Sequence, residues 1–219
     1  MTLAPLTRHA HDEEYEDLLS LWADLESGLS VLLARPLHVH DFSTKLRQFD
    51  RWLQDLVARD VDASLYLMFQ LASTSTVGYS ASHALVCGTL CHIMAREFSL
   101  PEHERNALVR AALTMNIGMT LLQDELAVQR EPLNSTQQKA VAEHPRVGQA
   151  LLEERDITDD LWLDLVGQHH GNVPLSTPLA QLKAEDRLTR LLGTIDRYAA
   201  MISPRKSRVG RSATDSVRA

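Results

Sequence analysis

Residues 81–98 constrain the fold more than any other stretch of this chain: they are nearly all apolar and read as one helix. A helix apolar on most of its faces must be buried on several sides at once, so other elements have to pack around it. The rest of the sequence offers helices for that purpose. Nine glycines and eight prolines are spread thinly over 219 residues, and strand-like alternation of β-branched residues is absent. Only 5% of the residues are aromatic, so aliphatic side chains must fill most of the core, which can be sizeable at this length. The expected fold class is all-α.

Asp12, Glu13 and Glu14 open an amphipathic helix whose Leu18, Leu19, Trp22, Leu25, Leu29, Leu32 and Leu33 share a face. Negative charge in a first turn suits the helix dipole. Pro36 closes that helix. A second is expected over residues 41–59, with Leu46, Phe49, Leu53 and Leu56 inward, and a third over 63–72 before a loop at 73–78. Ser99-Leu100-Pro101-Glu102 has the spacing of a capping box with proline in the first turn, and the helix it opens aligns Leu108, Ala111, Ala112 and Met115. Asn134-Ser135, with Gln138 three beyond the serine, starts another that reaches residue 155. Thr158-Asp159-Asp160 begins one ending near His170-Gly171, and Pro178 precedes the last, which runs to Met201. Residues 203–219 are rich in Ser and Arg, lack apolar periodicity and read as disordered. The expected organisation is an N-terminal helical region, 1–75, packed on a core of residues 76–203, followed by a basic tail, 204–219.

The formal charge is −7, and it is unevenly placed: Arg205, Lys206, Arg208, Arg211 and Arg218 face Asp215 alone in the tail. An acidic body of this kind is not built for sequence-independent binding of nucleic-acid polymers, although a small anionic ligand could sit near the Arg-rich end. No run approaches the length of a membrane span, and residues 1–11 lack the apolar segment of a secretory signal. Cys87 and Cys91 lie one helical turn apart, poorly placed to bridge each other. The expected setting is cytoplasmic.

Ten histidines outnumber Phe and Tyr together, and they ask for a reason. Four of them, His83, His144, His169 and His170, sit with Asp196 in the most apolar part of the sequence, on or at the ends of expected helices. Dispersed inward side chains of this kind are how helical bundles build metal sites, and neutral imidazole is the commonest metal ligand. Buried histidines also serve as hydrogen-bonded core, so both readings stand. His83, Cys87 and Cys91, at i, i+4 and i+8, can be drawn as a soft metal site, but buried cysteines usually behave as small hydrophobes and packing is the favoured reading. His92 and His103 read as surface positions, and His38 and His40 as loop.

From Tyr79 to Arg208 the chain resembles the HD-GYP family, helical metal-dependent phosphodiesterases that hydrolyse the bacterial messenger cyclic di-GMP. The resemblance rests on motifs in order. They are Tyr79-Ser-Ala-Ser-His83; Ala111-Ala-Leu-Thr-Met-Asn-Ile-Gly118; Glu143-His144-Pro145 with Gly148 and Leu151; Gln168-His169-His170; and Thr194-Ile-Asp196-Arg-Tyr-Ala-Ala. Arg205 and Arg208 fall where the family has a phosphate-facing Arg-x-x-Arg. The implied architecture is a multi-helix HD-domain bundle with an N-terminal helical extension, and the implied metal ligands are His83, His144, His169, His170 and Asp196.

The same alignment puts Met115-Asn116 where the family has its defining His-Asp pair, whose histidine binds a metal and whose aspartate bridges two. A thioether is a poor ligand for the hard or borderline cations of phosphoester hydrolysis, and asparagine removes the bridging charge. Met119 replaces a phosphate-contacting lysine, Gly171 a glutamate after the paired histidines, and Tyr79 a glutamate that some members add. The Asp-Gly-x-Gly-Tyr-Pro loop has no counterpart in residues 171–178. The resemblance therefore implies a catalytically degenerate domain, a pseudoenzyme kept as a binding or interaction module in cyclic-di-GMP-type signalling. Its partner would be a cyclic dinucleotide or a signalling protein, and no cofactor is expected. The alternative is a metal-dependent phosphohydrolase with a reduced centre holding one divalent ion, iron or manganese. A third reading, compatible with the first, makes the Trp22/Leu25/Leu29 face of the N-terminal helices a homodimer surface.

Overall fold

The computed structural model describes the backbone of residues 6–74, 77–207 and 210–218, with side chains from residue 16 onward in those ranges. It is all-α, and no strand occurs among the described residues. Ten helices follow one another: α1 (Leu6–Ala34), α2 (Phe42–Arg59), α3 (Val61–Thr74), α4 (Tyr79–Glu97), α5 (Glu102–Thr114), α6 (Thr120–Val128), α7 (Ser135–Glu154), α8 (Asp160–Gln168), α9 (Ala184–Ile202) and α10 (Ala213–Val217).

The apolar run at 81–98 becomes α4, and the other helices cover it as its composition demands. It packs against α1, α2, α3, α5, α6 and α9, and all residues from Ser80 to Thr89 are buried. One hydrophobic cluster runs from Trp22 through Leu108 and Val166 to Ala199, so the helices before residue 75 and those after it share a core. Buried polar pairs tie them further. Glu26 of α1 accepts from the Ser82 hydroxyl of α4, and Asp50 of α2 accepts from Arg110 Nε of α5 at 2.9 Å. Trp22, Leu25 and Leu29 are fully buried inside the chain, so the face expected to meet a second copy is already covered by the protein's own core.

Several helix ends differ from the sequence reading for physical reasons. α1 begins at Leu6, so residues 12–14 lie inside it rather than in its first turn. Ser99 does not cap α5. It sits at φ +50°, where its N–H donates to Arg96 O and the next N–H, of Leu100, donates to Ala95 O, which closes α4 in a Schellman motif. Asp156 ends α7 the same way. The capping box of α7 is one residue earlier than expected: Asn134 Oδ1 accepts from the Gln137 N–H at 2.9 Å, and Gln137 Oε1 accepts from the Asn134 N–H at 3.1 Å. His92 is buried rather than exposed. The tail, read as disordered, carries α10, whose Ser212 cap accepts from the Asp215 N–H, and its backbone returns to the body through Lys206 N–H to Ala127 O and Arg211 N–H to Met201 O.

Candidate metal centre

The five residues singled out on the sequence come together in space, but as two clusters. His144, His169 and His170 bring ring nitrogens within 4.8 Å of one another, and His83, Cys87 and Asp196 do the same with a nitrogen, a sulfur and a carboxylate oxygen.

The first cluster is organised by backbone carbonyls that the helices leave free. His144 lies on α7 immediately before Pro145, which sits inside the helix and has no N–H to donate to Val141 O. That carbonyl instead accepts from His144 Nδ1 at 2.6 Å. His169 follows α8, where the carbonyls of the last turn lack helical donors, and its Nδ1 donates to Val166 O at 2.8 Å. Both rings are thereby fixed with Nε2 as the acceptor. The two Nε2 atoms face each other at 3.1 Å.

Burial holds both imidazoles neutral. His144 is lowered below its ordinary value chiefly by burial, and His169, by burial first and then by its nearness to His170, is brought down to about 3. Two lone pairs converging at 3.1 Å are arranged to share one cation. Three imidazoles, two of them with carbonyl-fixed tautomers, fit one divalent ion, since an Nδ1–H bonded to a carbonyl is the usual outer support of a ligating histidine.

Close backbone approaches set the cluster. A Cβ on Gly118 would lie 2.5 Å from His144 O and 2.7 Å from Gly148 N, and one on Gly193 would lie 2.6 Å from His169 O. Only glycine lets the 117–119 turn press on α7, and α9 press on the end of α8, at these points.

The second cluster is held by side chains. His83 Nε2 bonds Asp196 Oδ1 at 2.8 Å, Cys87 Sγ lies 3.6 Å from the same nitrogen, and the Tyr79 ring stacks on the imidazole with centroids 5.6 Å apart. His83 Nδ1 is buried with no partner. Burial acts to raise Asp196, but its hydrogen bond to His83 and the electrostatic pull of the imidazoles around it outweigh this and bring the carboxyl down to about 2. Burial, reinforced by Asp196, pushes the Cys87 thiol well up.

Met115 is buried in the hydrophobic cluster, and Asn116 lines a cavity of about 250 Å³ together with His83, His144, His170, Asp196 and Arg205. Two ions sharing a carboxylate do not fit this donor set, because the side chain in the cavity is an amide and Asp196 is the only carboxylate of the two clusters. Arg205 is partly buried: its guanidinium lies 4.5 Å over the Tyr79 ring and donates to the Tyr79 hydroxyl at 2.8 Å. Arg208 lies outside the described residues.

Sequence reasoning put Tyr79 at a position where some family members add a glutamate, but missed its contact with Arg205, which lies 126 positions away. It also missed Gln123 and Gln129, which line the cavity from α6 and its end. The proline after His144 was the available signal for that ring's tautomer.

No protein-family model matches the chain, and no curated protein matches it. No helix among the described residues is long and apolar enough to cross a membrane.

Proposed function

We propose that this chain is a catalytically degenerate HD-GYP-like domain that serves as a binding or interaction module in bacterial cyclic-di-GMP-type signalling. The observation that carries the reading is Asn116 on the wall of the cavity, at the position where the family's bridging carboxylate would stand. Without that charge two dications repel one another with little to offset it, and the two-ion activation of water has no clamp. Met115, buried in the core, adds a thioether where a metal-binding imidazole belongs.

What remains is a cavity lined by Arg205, by the hydrogen-bonding groups of Gln123, Gln129 and Asn116, and by the carboxylates of Glu131 and Asp196, so an anion would have to sit on the Arg205 side. The cavity's volume is below the roughly 300–1,000 Å³ of sites that enclose a drug-sized ligand. It accommodates a phosphate and its sugar better than a whole dinucleotide, so the ligand would sit at its mouth.

The reading is tested by isothermal titration with cyclic di-GMP, paired with a turnover assay in manganese or ferrous iron. Heat of binding with no hydrolysis is the expected result. Hydrolysis that disappears in His144→Ala or His169→Ala would overturn it.

A second reading draws on the first cluster. His144, His169 and His170 would hold one divalent ion, which when bound supplies a Lewis acid for a phosphoester. Arg205 would orient the anionic substrate, and the apolar wall of Leu126, Leu133 and Val141 would limit water. Less than about a tenth of an equivalent of iron, manganese or zinc in protein purified without chelator would contradict it, since the affinities of such sites leave them loaded.

A further inference from the structure

The two clusters differ in the charge they offer a metal. The three histidines bring no negative ligand. The second cluster brings one carboxylate and, once its proton is lost, one thiolate, around a neutral imidazole. A dication there would give a neutral assembly, and a neutral assembly is the least costly one to keep in an interior where all three residues are buried.

We propose that His83, Cys87 and Asp196 form a site for one borderline-soft divalent ion of the zinc class, bound through one imidazole nitrogen, one thiolate and one carboxylate oxygen. The spacing supports this. Zinc–sulfur and zinc–nitrogen bonds of about 2.3 and 2.0–2.1 Å at a tetrahedral angle set the two donors about 3.6 Å apart. Cys87 Sγ and His83 Nε2 are 3.6 Å apart. The nitrogen and carboxylate oxygen, now hydrogen-bonded at 2.8 Å, need to open by about half an ångström to reach the corresponding spacing.

The donor set also selects the ion. Thiolate with imidazole suits zinc and disfavours magnesium or calcium, which take oxygen. Binding displaces the thiol proton to solvent and moves the imidazole proton to Nδ1, so no oxidant or reductant is involved. His83 and Asp196 also line the cavity, from which a fourth ligand would enter. Cys91, one turn along α4, is equally buried but outside the cluster, which makes it an internal control.

The test is a cobalt(II) titration of the full chain, freed of metal and kept reduced, followed by absorption. A thiolate ligand gives a sulfur-to-cobalt charge-transfer band in the near ultraviolet, which imidazole and carboxylate alone do not. The expected band saturates at one equivalent and is displaced by zinc. It survives in His144→Ala and Cys91→Ser, and is lost in Cys87→Ser. His83→Gln keeps the thiol and should lose the stoichiometric saturation, which provides a second variant if Cys87→Ser does not fold. Absence of the band in the wild type, its persistence in Cys87→Ser, or an unchanged titration of His83→Gln would overturn the proposal. The titration involves no nucleotide, so its outcome is independent of the binding reading above.

Discussion

His144 and His169 are held by the backbone, whereas His83 is held by other side chains. The first two rings each donate Nδ1–H to a carbonyl that a proline or a helix end has left free, and their remaining lone pairs converge at 3.1 Å. The third has its Nε2 tied to Asp196, its face stacked on Tyr79 and its Nδ1 without a partner. Asn116, an amide, lines the same cavity as residues of both clusters. The two clusters are therefore unlike neighbours rather than halves of one centre: one is rigid, neutral and short of negative charge, the other charge-balanced and able to rearrange.

The contrast breaks most readily at Asp196. In metal-free protein, Asp196→Ala should cost about 2–3 kcal/mol in urea unfolding, because it leaves the buried His83 Nε2 without its hydrogen-bond partner. His144→Ala, which loses one ring-to-carbonyl bond and a mutual lone-pair contact, should cost about 1 kcal/mol. Equal costs would mean that the second cluster is not the structural one.

Gly118→Ala should destabilise by about 2 kcal/mol through overpacking against His144 O and Gly148 N. It should also weaken zinc or manganese binding by the three histidines while leaving the thiolate band of the cobalt complex intact. If both responses fell together, the two clusters would be coupled.

Acid sharpens the contrast further. His169 has a folded value of about 3 against an ordinary 6.5, so below pH 6.5 the unfolded chain takes a proton that the folded chain refuses. Stability should be full above pH 6.5 and decline towards pH 3, by up to about 1.4 kcal/mol per unit for that one group. Asp196, lowered from 3.8 to about 2, should add its own loss only below pH 4. Chemical denaturation between pH 7 and 5 should show the decline, and His169→Gln should flatten it. A wild-type stability that is level across that range would contradict the neutral, buried assignment of His169. An effect as small as that of His144→Ala, about 1 kcal/mol, is expected at Arg205→Ala, from the lost stacking and hydrogen bond on Tyr79.

Much of the fold was legible because amphipathic stripes and an all-apolar run are local signals. Trp22, Leu25 and Leu29 mark α1, and the run at 81–98 marks α4. What was not legible depends on backbone conformation or distant partners. Ser99 has the composition of a cap, yet it adopts a left-handed conformation to end the preceding helix. The nine residues of α6 follow a 3-10 turn and are too short to show a period. His92 reads as polar surface along the chain but is covered once α4 is wrapped. For the site, the sequence offered the right side chains without their grouping. Nothing local says that His83 pairs with Asp196 113 residues away, whereas the i, i+4 spacing of His83 and Cys87 and the proline after His144 are local causes that act within about one turn.

The proposed lack of two-ion hydrolysis is tested most directly by incubating the full chain with cyclic di-GMP in manganese or ferrous iron and following the nucleotide by chromatography, with His144→Ala alongside. The account predicts no hydrolysis by either protein. Hydrolysis by the wild type that the substitution abolishes would contradict it.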